Sequence, residues 1–97
     1  MIIKHRENTH KGSFYIEEGD KLLAEISYSF AGTNMMVLDY TTINNELSEQ
    51  KKTGQELLHT LINYSRTKNI KVIPLCKTAK TIIDQNPSYR DVLLKQV

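Results

Sequence analysis

Met35-Met36-Val37-Leu38-Asp39-Tyr40-Thr41-Thr42-Ile43-Asn44-Asn45-Glu46-Leu47-Ser48-Glu49-Gln50-Lys51-Lys52-Thr53-Gly54-Gln55-Glu56-Leu57-Leu58 changes its period half way along. Met35–Ile43 ends in β-branched and aromatic residues and reads as a strand. Beyond it Leu57, Leu58, Leu61, Ile62 and Ser65 recur at helical spacing, with Lys51, Lys52, Gln55, Glu56, Asn63 and Arg66 elsewhere on the wheel. The spacing predicts a helix that starts within Leu47–Thr53 and ends near Lys68-Asn69, where asparagine suits a left-handed cap. Ile70–Cys76 then reads as another strand, with Pro74 at its edge or end because proline cannot donate to a ladder. A helix between two strands implies a crossover laid against a sheet.

Upstream, Phe14-Tyr15-Ile16 and Lys21–Phe30 are strand-like runs separated by Gly19-Asp20, a pair suited to a tight hairpin. From Ala24 the second run alternates: Ala24, Ile26, Tyr28 and Phe30 on one face, Glu25, Ser27 and Ser29 on the other. Ala31-Gly32-Thr33-Asn34 is a turn into Met35, and Ile2-Ile3 is a candidate short edge strand. Downstream, Thr78–Gln85 reads as a short helix stopped by Asn86-Pro87. The apolar residues of Tyr89–Leu94 should dock on the body. Strands first and a crossover later predict an α+β fold.

With 97 residues the chain has room for one domain, residues 1–97, at about 150 residues per domain. Thirteen Lys and Arg against eleven Asp and Glu leave +2, scattered rather than clustered, which argues against nucleic acid. The one cysteine, Cys76, excludes an internal disulfide and a cysteine-rich zinc site and suits a reducing, cytoplasmic compartment. No apolar run approaches the ~20 residues of a membrane span, and the first residues turn charged at once, unlike a signal peptide. His5, His10 and His59 show no metal spacing, and His59 falls on the charged, solvated side of its helix. No metal, nucleic acid or membrane partner is expected.

The strand-to-helix junction carries the chemistry. A helix start offers unpaired N–H groups and the positive end of the dipole to a phosphate. Gly54 allows close approach and Lys51 and Lys52 add charge; the alternative is an exposed loop and a solvated helix end. Cys76 is either a nucleophile or a small packing residue. Tyr40 is either a proton donor or a wall aromatic, and Glu25 is a fallback base or a solvated carboxylate.

Leu23-Ala24-Glu25-Ile26-Ser27-Tyr28, Leu38–Ile43, and above all Lys71-Val72-Ile73-Pro74-Leu75-Cys76-Lys77-Thr78-Ala79-Lys80 with Asn86-Pro87-Ser88-Tyr89-Arg90-Asp91-Val92, resemble the small single-domain members of the GNAT acetyltransferase superfamily. The resemblance implies an antiparallel β-meander followed by a crossover helix, a splayed strand and a short C-terminal helix. It implies that acetyl-CoA lies where two parallel strands part, along Thr41, Thr42 and Ile43, with its pyrophosphate on Gln50, Lys51, Lys52, Thr53, Gly54 and Gln55. The family loop reads Arg/Gln-x-x-Gly-x-Gly/Ala. Here Glu49–Gly54 keeps only Gly54, and Lys52 replaces the first glycine, so a Cβ at position 52 is expected to crowd the pyrophosphate. Cys76 is implied near the acyl end, as relay or wall. Tyr40 stands where relatives carry histidine and is expected to protonate the departing thiolate. The function so implied is an N-acetyltransferase acting on an unidentified amine, as a monomer or weak dimer; the alternative is a domain of the same shape that has lost coenzyme A and serves as an interaction module.

Overall fold

Polar and apolar residues alternate through the first half of the chain, and the strands they form meet in one five-stranded sheet. The computed structural model describes residues 2–94; Met1 and residues 95–97, part of the span expected to form one domain, lie outside the described residues. The order along the chain is β1 (Lys4–Glu7), β2 (Lys11–Glu18), β3 (Lys21–Phe30), β4 (Met35–Ile43), α1 (Gln50–Lys68), β5 (Lys71–Pro74) and α2 (Lys77–Asp84), then a 3₁₀ turn at Pro87–Val92. The sheet runs β1-β2-β3-β4-β5, antiparallel up to β4 and parallel from β4 to β5. This is the α+β meander and crossover that the changing period implied.

Gly19 takes φ +61° in the two-residue turn between Glu18 and Lys21, the conformation a tight hairpin needs. Asn69 ends α1 at φ 56°, and its N–H reaches back to the Arg66 and Ser65 carbonyls. Ala24, Ile26, Tyr28, Met36, Leu38 and Val72 point from the sheet into the core. Leu57, Leu58, Leu61 and Ile62 of α1 and Ala79, Ile82 and Ile83 of α2 close over them. The C-terminal stretch docks through Tyr89 and Val92. The other sheet face is polar, carrying Ser13, Glu25, Ser27 and Tyr40.

The first strand differs from expectation. Ile2 and Ile3 precede it, and β1 is the charged run Lys4-His5-Arg6-Glu7. Its place is set by side chains. The His5 ring stacks on Phe14 with centroids 4.1 Å apart. Tyr28, fully buried, donates its hydroxyl to Glu7 Oε1 at 2.7 Å, and Tyr64 of α1 donates to the same oxygen at 2.7 Å. His5 Nε2 lies 2.6 Å from the Tyr28 hydroxyl. A charged edge also discourages a further strand from adding there. Gly12 lets β2 pass this cluster, since a Cβ would fall 2.4 Å from the Tyr28 hydroxyl and 2.7 Å from the Arg6 carbonyl oxygen.

Burial alone would raise the Glu7 carboxyl, but the hydrogen bonds from Tyr64 and Tyr28 outweigh it and hold Glu7 below its ordinary value. Burial pulls His5 below its ordinary value against the opposing pull of Glu7. Burial and the Glu7 carboxylate push Tyr28 up, and push Tyr64 up to about 12. For both His5 and Glu7 the unfolded chain binds the proton more readily, so stability is present at high pH and lost on acidification. Thermal melts should be level from pH ~7 to the ordinary tyrosine value of 10.0, fall above it because folded Tyr28 and Tyr64 keep protons that the unfolded chain loses, fall below the ordinary histidine value of 6.5, and fall again below the ordinary glutamate value of 4.5. His5→Phe should erase the histidine step; if that step persists, the assignment to His5 is wrong. Gly12→Ala should cost about 2–3 kcal/mol in denaturant unfolding through overpacking against Tyr28.

Candidate functional site

β5 ends before β4 does. The two pair only from Met35–Leu38 against Lys71–Pro74, and the Cys76 N–H makes one further bond to the Leu38 carbonyl at 3.0 Å. β4 runs on to Ile43 while the chain turns away into α2. Asn44 N–H donates to the Leu23 carbonyl at 2.8 Å, so that side of β4 belongs to β3. Backbone edges alternate along a strand, so Thr41 and Ile43 turn their N–H and C=O outward, where no further strand pairs with them among the described residues.

A cleft of about 650 Å³ lies along that free edge. Thr41 and Ile43 form one wall, Gln50, Lys51 and Gly54 of α1 a second, and Lys77, Thr78 and Thr81 of α2 a third. Glu49 caps α1 without a side-chain hydrogen bond, and no acidic residue stands in the first turn. Thr53 is the first residue whose N–H finds a carbonyl, that of Glu49 at 3.0 Å. The N–H groups of Gln50, Lys51 and Lys52 have no partner among the described residues and carry the positive end of the dipole. The Glu49 carboxylate is drawn to Lys52 at 3.8 Å. Gly54 brings α1 close to the end of β4: a Cβ there would lie 3.2 Å from Ile43 Cδ1 and 3.7 Å from Ile82 Cδ1.

The residues singled out in the sequence are divided by this geometry. Thr41, Ile43, Gln50, Lys51 and Gly54 meet in the cleft. Thr53 is buried, with its hydroxyl on the Glu49 carbonyl at 3.0 Å. The Lys52 and Gln55 side chains line a different groove, beside His59 and Tyr89. Position 52 is helical, and Asn69 is the only non-glycine residue with positive φ among those described, so no left-handed backbone is asked of Lys52. His59 differs from the solvated residue expected, since its ring meets the Tyr89 hydroxyl at 3.0 Å and Asn63 at 3.2 Å. Lys77, Thr78 and Thr81 were missed in the sequence, because only packing shows that α2 closes the cleft.

Cys76 and Tyr40 do not come together. Cys76 caps α2 on the helix-covered face, 9% exposed, and its thiol donates to Thr41 Oγ1 at 3.2 Å. Tyr40 points to the other face, 49% exposed, and its hydroxyl donates to Glu25 Oε1 at 3.3 Å. The cause is a β-bulge. Tyr28 faces Leu38 and Ser27 faces Tyr40, which leaves Asp39 without a partner. Plain alternation would carry Tyr40 inward with Leu38; the extra residue sends Thr41 and Ile43 inward and turns Tyr40 and Thr42 outward. The side chains of Tyr40 and Cys76 therefore lie on opposite faces of the sheet.

On the open face Glu25 is only 7% exposed. Burial would raise its carboxyl, but Arg6 Nη2 at 2.8 Å, with Ser13 and Tyr40, outweighs this and holds it below its ordinary value. Among the described residues no group of three or more His, Cys, Asp and Glu side chains is placed to hold a metal, and no helix is long and apolar enough to cross a membrane.

The family model for GCN5-related N-acetyltransferases matches residues 13–92, and the chain belongs to that family. The solution structure of a GCN5-like protein from Staphylococcus aureus superposes with a TM-score of 0.75 at 33% identity, over 97% of this chain and 90% of that one. No curated protein matches.

The contact that joins α2 to β4 can be weighed by itself. Thr41→Val should lower the unfolding free energy by about 1 kcal/mol, with Thr41→Ser restoring it. Equal denaturation midpoints for all three proteins would show that the Cys76–Thr41 bond contributes nothing.

Proposed function

We propose that the chain binds acetyl-CoA in the cleft between β4, α1 and α2 and transfers the acetyl group to an amine. The observation that carries this reading is the free edge of β4 at Thr41 and Ile43, set beside three unpaired N–H groups at the start of α1. The first-turn N–H groups and Lys51 suit a pyrophosphate. The outward amides of Thr41 and Ile43 suit an extended amide-bearing arm, which would add to β4 as a strand does. One of them can donate to the thioester oxygen as negative charge develops on it. The bound thioester supplies an activated acetyl carbonyl. Cys76, whose thiol bonds the hydroxyl of the cleft residue Thr41, serves as a relay for the acetyl group or as a wall behind it.

The interaction-module alternative rested on the altered loop, with Lys52 in place of a glycine, and on Tyr40 in place of a histidine. A helical position 52, with its side chain in another groove, removes the steric part of that objection.

Acetyl-CoA at a hundredfold excess over Kd should add about 2.7 kcal/mol of stability. The melting temperature should therefore rise by several degrees. A flat melt at millimolar acetyl-CoA would leave the interaction module standing. Mass spectrometry after incubation with acetyl-CoA separates the two roles of Cys76: a relay gives an acetyl adduct that Cys76→Ala lacks, a wall gives none. Gly54→Ala should melt no lower than wild type, because alanine favours helix by about 1 kcal/mol and the Ile43 methyl can turn into the cleft. The same variant should weaken acetyl-CoA binding, since that methyl then occupies the space.

A further inference from the structure

On the face away from the helices, four side chains make a row across the sheet. Arg6 of β1 faces Ser13 of β2, Ser13 faces Ser27 of β3, and Ser27 faces Tyr40 of β4. The two central side chains are short and the two outer ones long, so the row is a trough, and a cavity of about 390 Å³ lies in it. It shares no lining residue with the cleft beside α1. Lys11 also lines it, two residues before Ser13 on the same face of β2, which makes it the diagonal neighbour of Arg6 about 7–8 Å away.

Arg6 is fixed from three sides. Its Nε donates to Ser13 Oγ at 3.2 Å, its Nη2 donates to Glu25 Oε2 at 2.8 Å, and its guanidinium carbon lies 4.4 Å from the centre of the Tyr15 ring. Nη1 has no acceptor among the described residues. Lys11 makes no ion pair among them. The Ser27 hydroxyl bonds to none of them either, and it is open to the cavity, since no buried side-chain oxygen or nitrogen described lacks a partner. The carboxylate in the trough, that of Glu25, is already engaged by Arg6, Ser13 and Tyr40. Glu7 borders the cavity, but its side chain is held by Tyr28 and Tyr64 on the other face of the sheet. Arg6 and Lys11 against Glu25 leave one positive charge uncompensated.

We propose that this trough binds a small hydroxylated carboxylate, its carboxylate between Arg6 and Lys11 and its hydroxyl groups on the serine floor. Planar guanidinium N–H groups match a carboxylate, and the single surplus charge matches one such group. No aliphatic side chain lines the trough, so hydroxyl groups suit it better than a hydrocarbon tail. Glu25 ties down the guanidinium beforehand, which lowers the ordering cost of binding. The site needs neither acetyl-CoA nor transfer chemistry and stands apart from the reading above.

Glycerate, propionate and glycerol test it, as a hydroxylated carboxylate, a carboxylate without hydroxyls and hydroxyls without charge. In titrations of the isotope-labelled full chain at constant ionic strength, glycerate should move the amide signals of Arg6, Lys11 and Ser27 to saturation. Its Kd should lie about fivefold below that of propionate, the worth of a neutral hydrogen bond, and glycerol should move nothing. Lys11→Gln should weaken glycerate about tenfold, as loss of a hydrogen bond from a charged group does. Lys4→Gln removes the same charge from the same face of β1, two residues from Arg6, and should leave glycerate binding unchanged. Equal affinity of the wild-type protein for glycerate and propionate would overturn the proposal, as would a titration that never saturates. Equal weakening by the two lysine variants would overturn it too, because diffuse surface charge would then account for the binding.

Discussion

The Cys76 amide bonded to the Leu38 carbonyl is the last link between β4 and β5, and the shape of the cleft depends on where that link falls. Before it, two parallel strands share a ladder and bury Met36, Leu38 and Val72 beneath the helices. After it, β4 continues alone and its outer edge faces open space. An unpaired strand edge inside a folded protein is a row of donors and acceptors awaiting a partner. Here it is reached only through a cleft, because α2 begins at Lys77 and folds back over it. The sharp exit of the chain at Pro74 and the thiol bond from Cys76 to Thr41 hold that opening in shape.

The bulge at Asp39 decides which side chains look into the opening. One residue without a cross-strand partner changes the parity of everything beyond it. Thr41 and Ile43 come to line the helix-side cleft, while Tyr40 joins Glu25 and Ser27 on the polar face. Two surfaces of different chemistry therefore sit back to back on one strand. One offers backbone amides and the dipole of α1; the other offers a buried carboxylate beside an exposed ring.

The opposite edge of the sheet is built differently. β1 is short, charged and exposed, and it stays in register through Glu7, which gathers hydroxyl bonds from Tyr28 in the sheet and Tyr64 in α1. A carboxylate so held ties an edge strand to the core and to the crossover helix in one contact, at the cost of acid sensitivity. Gly12 belongs to that arrangement, since the Tyr28 hydroxyl fills the place of its side chain.

The chain's own pattern was enough for the elements that follow β1 and for their order. The bounds of β4, the Gly19 turn, the Asn69 cap and the apolar stripe of α1 arise from local propensity and period, which act within a few residues. It was enough also for five cleft residues, Thr41, Ile43, Gln50, Lys51 and Gly54, through the likeness of the strand end and helix start to a known family. It did not separate Cys76 from Tyr40, and it held no hint of α2 as a third wall. Period-two reading assumes an unbroken ladder, and a bulge arises from pairing between strands; Asp39, a polar residue in the run Val37-Leu38-Asp39-Tyr40, was its only trace. β1 escaped for a like reason. Ile2 and Ile3 carry the hydrophobicity, but the stacking of His5 on Phe14 and the hydroxyl bonds to Glu7 are contacts across the sheet and to α1, and those exist only once the tertiary structure has formed.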